Sequence, residues 1–255
     1  MNTDPIFTRA RRAVASAVVA LVATMTGAAA AAPPALAPAR MTLPAGGTAR
    51  DMTVTNPGDT RTWVQATAYT WRHLPDGEIA LERTHDLRFE PAELRLEPGA
   101  SGTIHVSHPA GPASAEKAYR VVVDSLPPLH GVVRERHAVV DLMRASVPAF
   151  VAGTRARSAP RIGEGQLLAQ RASFLVGNDG TSHVVMRRVE IVGFDANGLR
   201  LFTESFRPFY VLPGGTRSLS TVLPEVACLA ASVEVRGEAA GHDLFLELGP
   251  GRCDR

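Results

Sequence analysis

Short runs of alternating apolar and polar residues recur along most of the chain. In TWVQATAYTW (62–71), an extended backbone puts Trp63, Gln65, Thr67 and Tyr69 on one face and Val64, Ala66, Ala68 and Thr70 on the other. A period of two marks a half-buried β-strand. The same reading applies to ARMTL (39–43), DMTVTN (51–56), LRFEP (87–91), ELRLEPG (93–99) and GTIHVSHP (102–109). It extends to AYRVVVDSLPP (118–128) and HAVVDLMRASVPAFV (137–151). TNPGD and LPDGE stand between runs as turns, where proline presets φ and glycine accepts a positive one. Helical periodicity is scarce. Short strands broken by such turns about every ten residues predict a β-sandwich.

The pattern lapses at VAGTRARSAPRIGEGQ (151–166), which is rich in small, charged and turn residues and has no apolar period, so we read a linker there. Strand-like runs then resume in LLAQRASFLVGNDG, HVVMRRVEIVGFDANG, RLFTESFRPFYVLPGG, TRSLSTVL, ASVEVRG and DLFLELG. GNDG, DANG and PGG are hairpin or loop signals. The chain therefore predicts an N-terminal sandwich over 33–152 and a C-terminal one over 153–255.

The first residues are of another kind. RARR (9–12) is cationic, and AVASAVVALVATM (13–25) is apolar but shorter than the ~20 residues that span a bilayer. TGAAAAAPP then offers small-residue cleavage sites around Ala30 to Ala32. This is the layout of a secretory signal peptide over 1–31; the other reading, a buried N-terminal helix, finds no helical pattern continuing beyond Ala32. The remainder is expected to be exported without membrane insertion. Removing the leader takes the formal net charge from +2 to zero, which leaves no basic excess for nucleic acid.

In an exported chain the two cysteines, Cys228 and Cys253, point to one disulfide, the alternative being two buried thiols. It would close a loop of about 25 residues and contribute roughly 3 kcal/mol through loop entropy. One lysine, Lys117, stands against 26 arginines, so any cationic site must be built from arginine.

Catalytic and metal-binding patterns are missing. Of eight histidines only His105 and His108 are close in sequence, and positions three apart on a strand face opposite ways. The chain has no H-E-x-x-H, C-x-x-C or G-x-S-x-G, and GEG (163–165) lacks the third glycine and preceding strand of a dinucleotide loop. We read no enzyme, no metal and no cofactor.

Three stretches together resemble the periplasmic pilus-assembly chaperones of the chaperone–usher pathway. ARMTLPAGGTARDMTVTN resembles that family's opening pair of strands, with an arginine in the first and an asparagine ending the second. LRFEPAELRLEPG is similar to its "P…RL.PG" stretch. AYRVVVDSLPP, followed by AVVDLMRASVPAFV, resembles the last two strands of its first domain. The resemblance is strong over 38–151 and looser afterwards.

It implies an all-β fold of two immunoglobulin-like β-sandwich domains at an angle, with a cleft between them. It also implies a periplasmic role. Pilin subunits lack their last strand, and the chaperone lends one of its own before an outer-membrane usher takes the subunit over. On that reading Ala138, Val140 and Leu142 form the row offered to the client, because the other row, Val139, Met143, Ala145 and Val147, is interrupted by Asp141, a charge costly to bury in a client pocket. The family's first-strand arginine, which holds the client's C-terminal carboxylate, falls on Arg40; the plain alternative is a solvated surface arginine. Its second basic position falls near Ser146 to Pro148, where this chain has no basic residue. Arg144 is the nearest cation and Arg50 a weaker substitute. The competing readings are a structural pilus or adhesin component, and an extracellular carbohydrate-binding sandwich, which would want more exposed aromatics. A dimer of self-capping copies is left open.

Overall fold

A computed structural model describes residues 33–74, 76–126 and 143–251. The signal segment, the row Ala138, Val140 and Leu142, and Cys253 lie outside the described residues. Among those described, the one helical element is a 3-10 turn, Glu225–Leu229, and no helix is long and apolar enough to cross a membrane.

The first group of strands is β1 (Ala35–Ala37), β2 (Met41–Leu43), β3 (Arg50–Thr55), β4 (Thr62–His73), β5 (Ile79–Thr84), β6 (Arg88–Glu90), β7 (Glu93–Leu96), β8 (Ser101–Ser107), β9 (Lys117–Leu126) and β10 (Arg144–Val151). They form two facing sheets, one ordered β1-β3-β8-β6, the other β2-β10-β9-β4-β5 with β7 also on β4. The alternation read from the sequence decides which side chains meet between them. Val64, Ala66 and Ala68 of β4 pack on Met52, Val54, Ile104 and Val106 from the facing sheet, while Trp63, Gln65, Thr67 and Tyr69 point outward.

The opening run departs from its sequence reading. Arg40 does not head a strand. Leu36 of β1 sits opposite Val54, a bend follows over 38–40, and β2 then pairs parallel with β10, Met41 opposite Ala149 and Leu43 opposite Val151. Pro38 has no N–H to extend the β1 ladder, so the chain changes sheets there. The runs either side of Gly46-Gly47 therefore belong to different sheets and form no hairpin; both glycines, at φ +90° and +92°, instead donate to carbonyls of residues 108–110.

The second group is β11 (Pro160–Leu168), β12 (Arg171–Asn178), β13 (Val184–Met186), β14 (Arg188–Phe194), β15 (Arg200–Ser205), β16 (Phe209–Val211), β17 (Thr216–Val222), β18 (Ser232–Ala239) and β19 (His242–Gly249). Sheets β11-β12-β17 and β15-β14-β18-β19, with the pair β13-β16, enclose Phe174, Val176, Met186, Ile191, Val211 and Val235. Residues 160–166, read as linker, are mostly strand. The ladder with β12 runs from Pro160 opposite Asn178 to Leu168 opposite Arg171, but its register shifts between Gly163 and Gln166, with Glu164 at φ +52°. That bulge breaks the alternation on which strand recognition depends.

The same device closes a turn in each sandwich. The buried Asn56 amide donates to the carbonyls of Thr60, Leu96 and Glu97 and accepts from Gly58 N–H. Asn178, also fully buried, donates to the carbonyls of Ser182 and Val211 and accepts from Ala159 and Gly180 N–H. Each asparagine supplies partners that the turning backbone cannot supply for itself.

The sandwiches meet along a seam. Glu116 accepts from both the backbone N–H (2.9 Å) and the Nδ1 (2.8 Å) of His183. The His183 ring stacks on Phe150 with centroids 3.7 Å apart, and Trp71, Tyr210 and Leu212 complete an aromatic plug. At the tip of the β4–β5 hairpin, Gly77 (φ +84°) lies so close to β17 that a Cβ there would stand 2.9 Å from the Ser218 nitrogen.

Candidate functional site

On one side β10 pairs with β9 along its whole length, Arg144 opposite Asp124 through Val151 opposite Lys117. On its other side β2 covers only Ala149 to Val151. Among the described residues, no strand pairs with that side of 144–148.

Backbone parity specifies what this open edge offers. The Met143 carbonyl accepts from Ser125 on the β9 side, whereas the Ala152 N–H donates to Leu43 on the β2 side. Because N–H and C=O of one residue point the same way in an antiparallel strand, odd residues serve β9 and even residues face the open edge. Arg144 and Ser146 thus present both groups there, and Pro148 only its carbonyl. Side chains alternate too: Val147, Ala149 and Val151 enter the core, while Arg144 and Ser146 are exposed on the outer face.

The predicted arginines are not brought together. Arg40, in the bend before Met41, is exposed and has no hydrogen-bond or ion-pair partner among the described residues. The β2–β10 register puts it level with Pro148. Arg144 lies four residues back, about 13 Å at roughly 3.3 Å per residue. Its guanidinium forks onto Asp124 (2.6 and 3.2 Å), and that carboxylate raises its pKa. Arg50 belongs to β3 in the opposite sheet.

Sequence reasoning missed Arg120. On β9 it lies directly opposite Pro148, at the level of Arg40 and four residues from that of Arg144. It is half-buried, with its guanidinium carbon 4.1 Å from the Trp71 ring centroid, and it has no acidic partner among the described residues. Burial depresses its pKa. Nothing in AYRVVVDSL singles out this arginine; it becomes visible only through the β9–β10 register.

Other candidates disperse. His105 is exposed against Asp51 (2.7 Å) while His108 is buried, and no metal-binding cluster occurs among the described residues. Cys228 lies in the 3-10 turn, near the Gln170 amide, and is not a free thiol. Beside the seam a cavity of about 340 Å³ is lined by Trp71, His73, Asp86, Tyr119 and Gly215 among others. Neither ring nitrogen of His73 has a partner among the described residues, and burial, aided by the Arg217 charge, pushes its pKa down to about 4.

With this geometry in place the comparisons are specific. Residues 35–153 match the family described as pili and flagellar-assembly chaperone, PapD N-terminal domain, so the N-terminal sandwich is a domain of that family. Comparison with curated protein sequences found no match. Among solved structures, the chain is similar to the CsuC–CsuE chaperone–tip adhesion subunit pre-assembly complex from archaic chaperone-usher Csu pili of Acinetobacter baumannii. Identity is 16%, coverage 85% of this chain and 98% of the other, and the TM-score 0.53. It is similar to the YadV chaperone at 15% identity, 84% and 98% coverage and a TM-score of 0.54. The Salmonella enterica SafA pilin–SafB chaperone complex gives 16%, 85% and 97%, with 0.51. These likenesses are of fold, and the fold is two immunoglobulin-like sandwiches.

Proposed function

We propose that this protein works in the periplasm, binding pilin subunits by lending them a strand and delivering them to an outer-membrane usher. The open edge of β10 carries the reading. An incomplete sandwich exposes unpaired backbone groups and apolar core, which invites aggregation. A strand added at 144–148 pairs those groups at about 1 kcal/mol net each. Ala138, Val140 and Leu142 remain the row proposed to fill the client groove; they share the even parity of Arg144 and Ser146. Arg40 and Arg144 are proposed to hold the client carboxylate. The Asp124 pair occupies Arg144, so Arg40, unpartnered and level with Pro148, is the stronger of the two. Signal cleavage and a Cys228–Cys253 bridge complete the proposal, both suited to an oxidising compartment.

The test is co-purification of subunits with the tagged chaperone from the periplasm. Ser146→Pro deletes an edge donor without touching the β9 ladder, and should abolish capture while the protein still folds. Arg40→Ala should reduce capture severalfold. Undiminished capture by the folded Ser146→Pro protein would refute strand lending.

A further inference from the structure

We propose that the cavity beside the seam binds a small organic acid, its carboxylate received by the Trp71 N–H, His73 and Lys117 and its apolar body resting on Leu212 and Pro213. This site stands apart from the proposed client edge. His73 belongs to β4, with β9 standing between it and β10, and Lys117 is level with Val151, beyond the open stretch 144–148.

Both sandwiches build this cavity of about 340 Å³. β4 brings Trp71 and His73, β9 brings Lys117 and Ala118, and the turn after β16 brings Leu212, Pro213 and Gly215. The turn fits closely on the first sandwich, since a Cβ at Gly215 would stand 2.5 Å from His73 Nδ1. A cavity of this size between domains, apolar with a few converging polar groups, is the usual form of a small-molecule site.

The polar groups specify the occupant. Trp71 is only 3% exposed, and its buried indole N–H has no partner among the described residues. A donor left so costs free energy that an acceptor oxygen recovers. Both His73 nitrogens are buried and unpartnered too. Burial, aided by the Arg217 charge, keeps this imidazole neutral at neutral pH, so one nitrogen donates and the other accepts. Lys117 makes no ion pair among the described residues, although its charge reaches Asp86. The acids of the wall are already engaged. Glu116 accepts from His183 Nδ1 with both carboxylate oxygens, and Asp86 accepts the Tyr119 hydroxyl. Three donors therefore remain, one of them cationic, and Arg217 adds a further positive charge near His73. That set fits an anion with acceptor oxygens and disfavours a cation. Ala118, Leu212 and Pro213 supply an apolar wall, and the volume exceeds what a bare carboxylate fills.

The probe is sodium benzoate, with benzamide as its uncharged counterpart, each titrated to about 10 mM against the whole exported chain. The readout is the indole N–H resonances of the two tryptophans in a nitrogen–proton correlation spectrum, with Trp63→Phe to assign that of Trp71. Benzoate should move the Trp71 resonance, leave that of the exposed Trp63 in place, and bind about tenfold tighter than benzamide. Lys117→Gln, at a partly exposed position, should bring the two probes to equal affinity, and His73→Leu should weaken both. Arg40→Ala should leave benzoate binding unchanged. A Trp71 resonance that neither probe moves, or equal affinities in the parent chain, would overturn the proposal. So would benzoate binding that Lys117→Gln and His73→Leu both leave intact, or that Arg40→Ala abolishes, since the acid would then sit elsewhere.

Discussion

Single buried polar groups set the clearest expectations for stability. The Tyr119 hydroxyl, in the first core, donates to Asp86 at 2.8 Å; this bond holds the Asp86 carboxyl below its ordinary pKa, while burial raises that of Tyr119. Tyr119→Phe should cost about 1 kcal/mol, or ~2–4 °C in Tm, measured by calorimetry at neutral pH. Asp86 contributes this stability above its unfolded pKa and loses it as pH falls through the depressed folded value, so variant and parent should converge in acid. His73 acts in the same direction by another route. Its folded pKa of about 4 lies below the ordinary 6.5, so the unfolded chain takes up the proton first. Stability is therefore full above pH 6.5 and declines as pH falls toward 4. A series of melting curves across that window should decline less steeply for His73→Gln than for the parent; identical slopes would mean that the seam does not shield this ring.

At the scale of elements, β10 has a built-in contrast. Proline at 145 would remove an N–H that serves β9, whereas proline at 146 removes one facing the open edge. Ala145→Pro should lower Tm by several degrees and Ser146→Pro by much less, because only the first breaks a ladder bond. How legible each element was followed from how undisturbed its alternation is. β4 could be read directly, since burial alternates without a break from Trp63 to Tyr69 and its inward face is what the core requires. β11 was hidden because the bulge at Gly163–Gln166 shifts its phase partway along. β1 and β2 are three residues each, too short to show a period, and no local signal says that they join different sheets. Asn56 was noticed as the end of a run, but its work, tying the turn to Leu96 and Glu97, depends on residues forty positions away.

For the whole molecule, β10 and the seam are physically continuous. Phe150 stands at the end of β10 and is fully buried against His183, Trp71 and Tyr210. Phe150→Ala should cost about 3–5 kcal/mol and loosen the strand that carries the open edge, so urea unfolding and subunit capture should both suffer. The proposed client site was only partly legible for a related reason. A first-strand arginine can be matched to a family pattern along the chain, as Arg40 was. The place of Arg120 opposite Pro148 exists only once β9 and β10 lie side by side, and no spacing in the sequence encodes that. The central claim is that the even residues at the start of β10 offer their backbone to another protein. Residue-resolved amide hydrogen exchange, on the isolated chain and on its complex with a captured subunit, tests it most directly. The amides of Arg144 and Ser146 should exchange freely alone and become protected in the complex, while Ala145 and Val147 stay protected in both. Protection of all four in the isolated chain, or no change at Arg144 and Ser146 on binding, would contradict it.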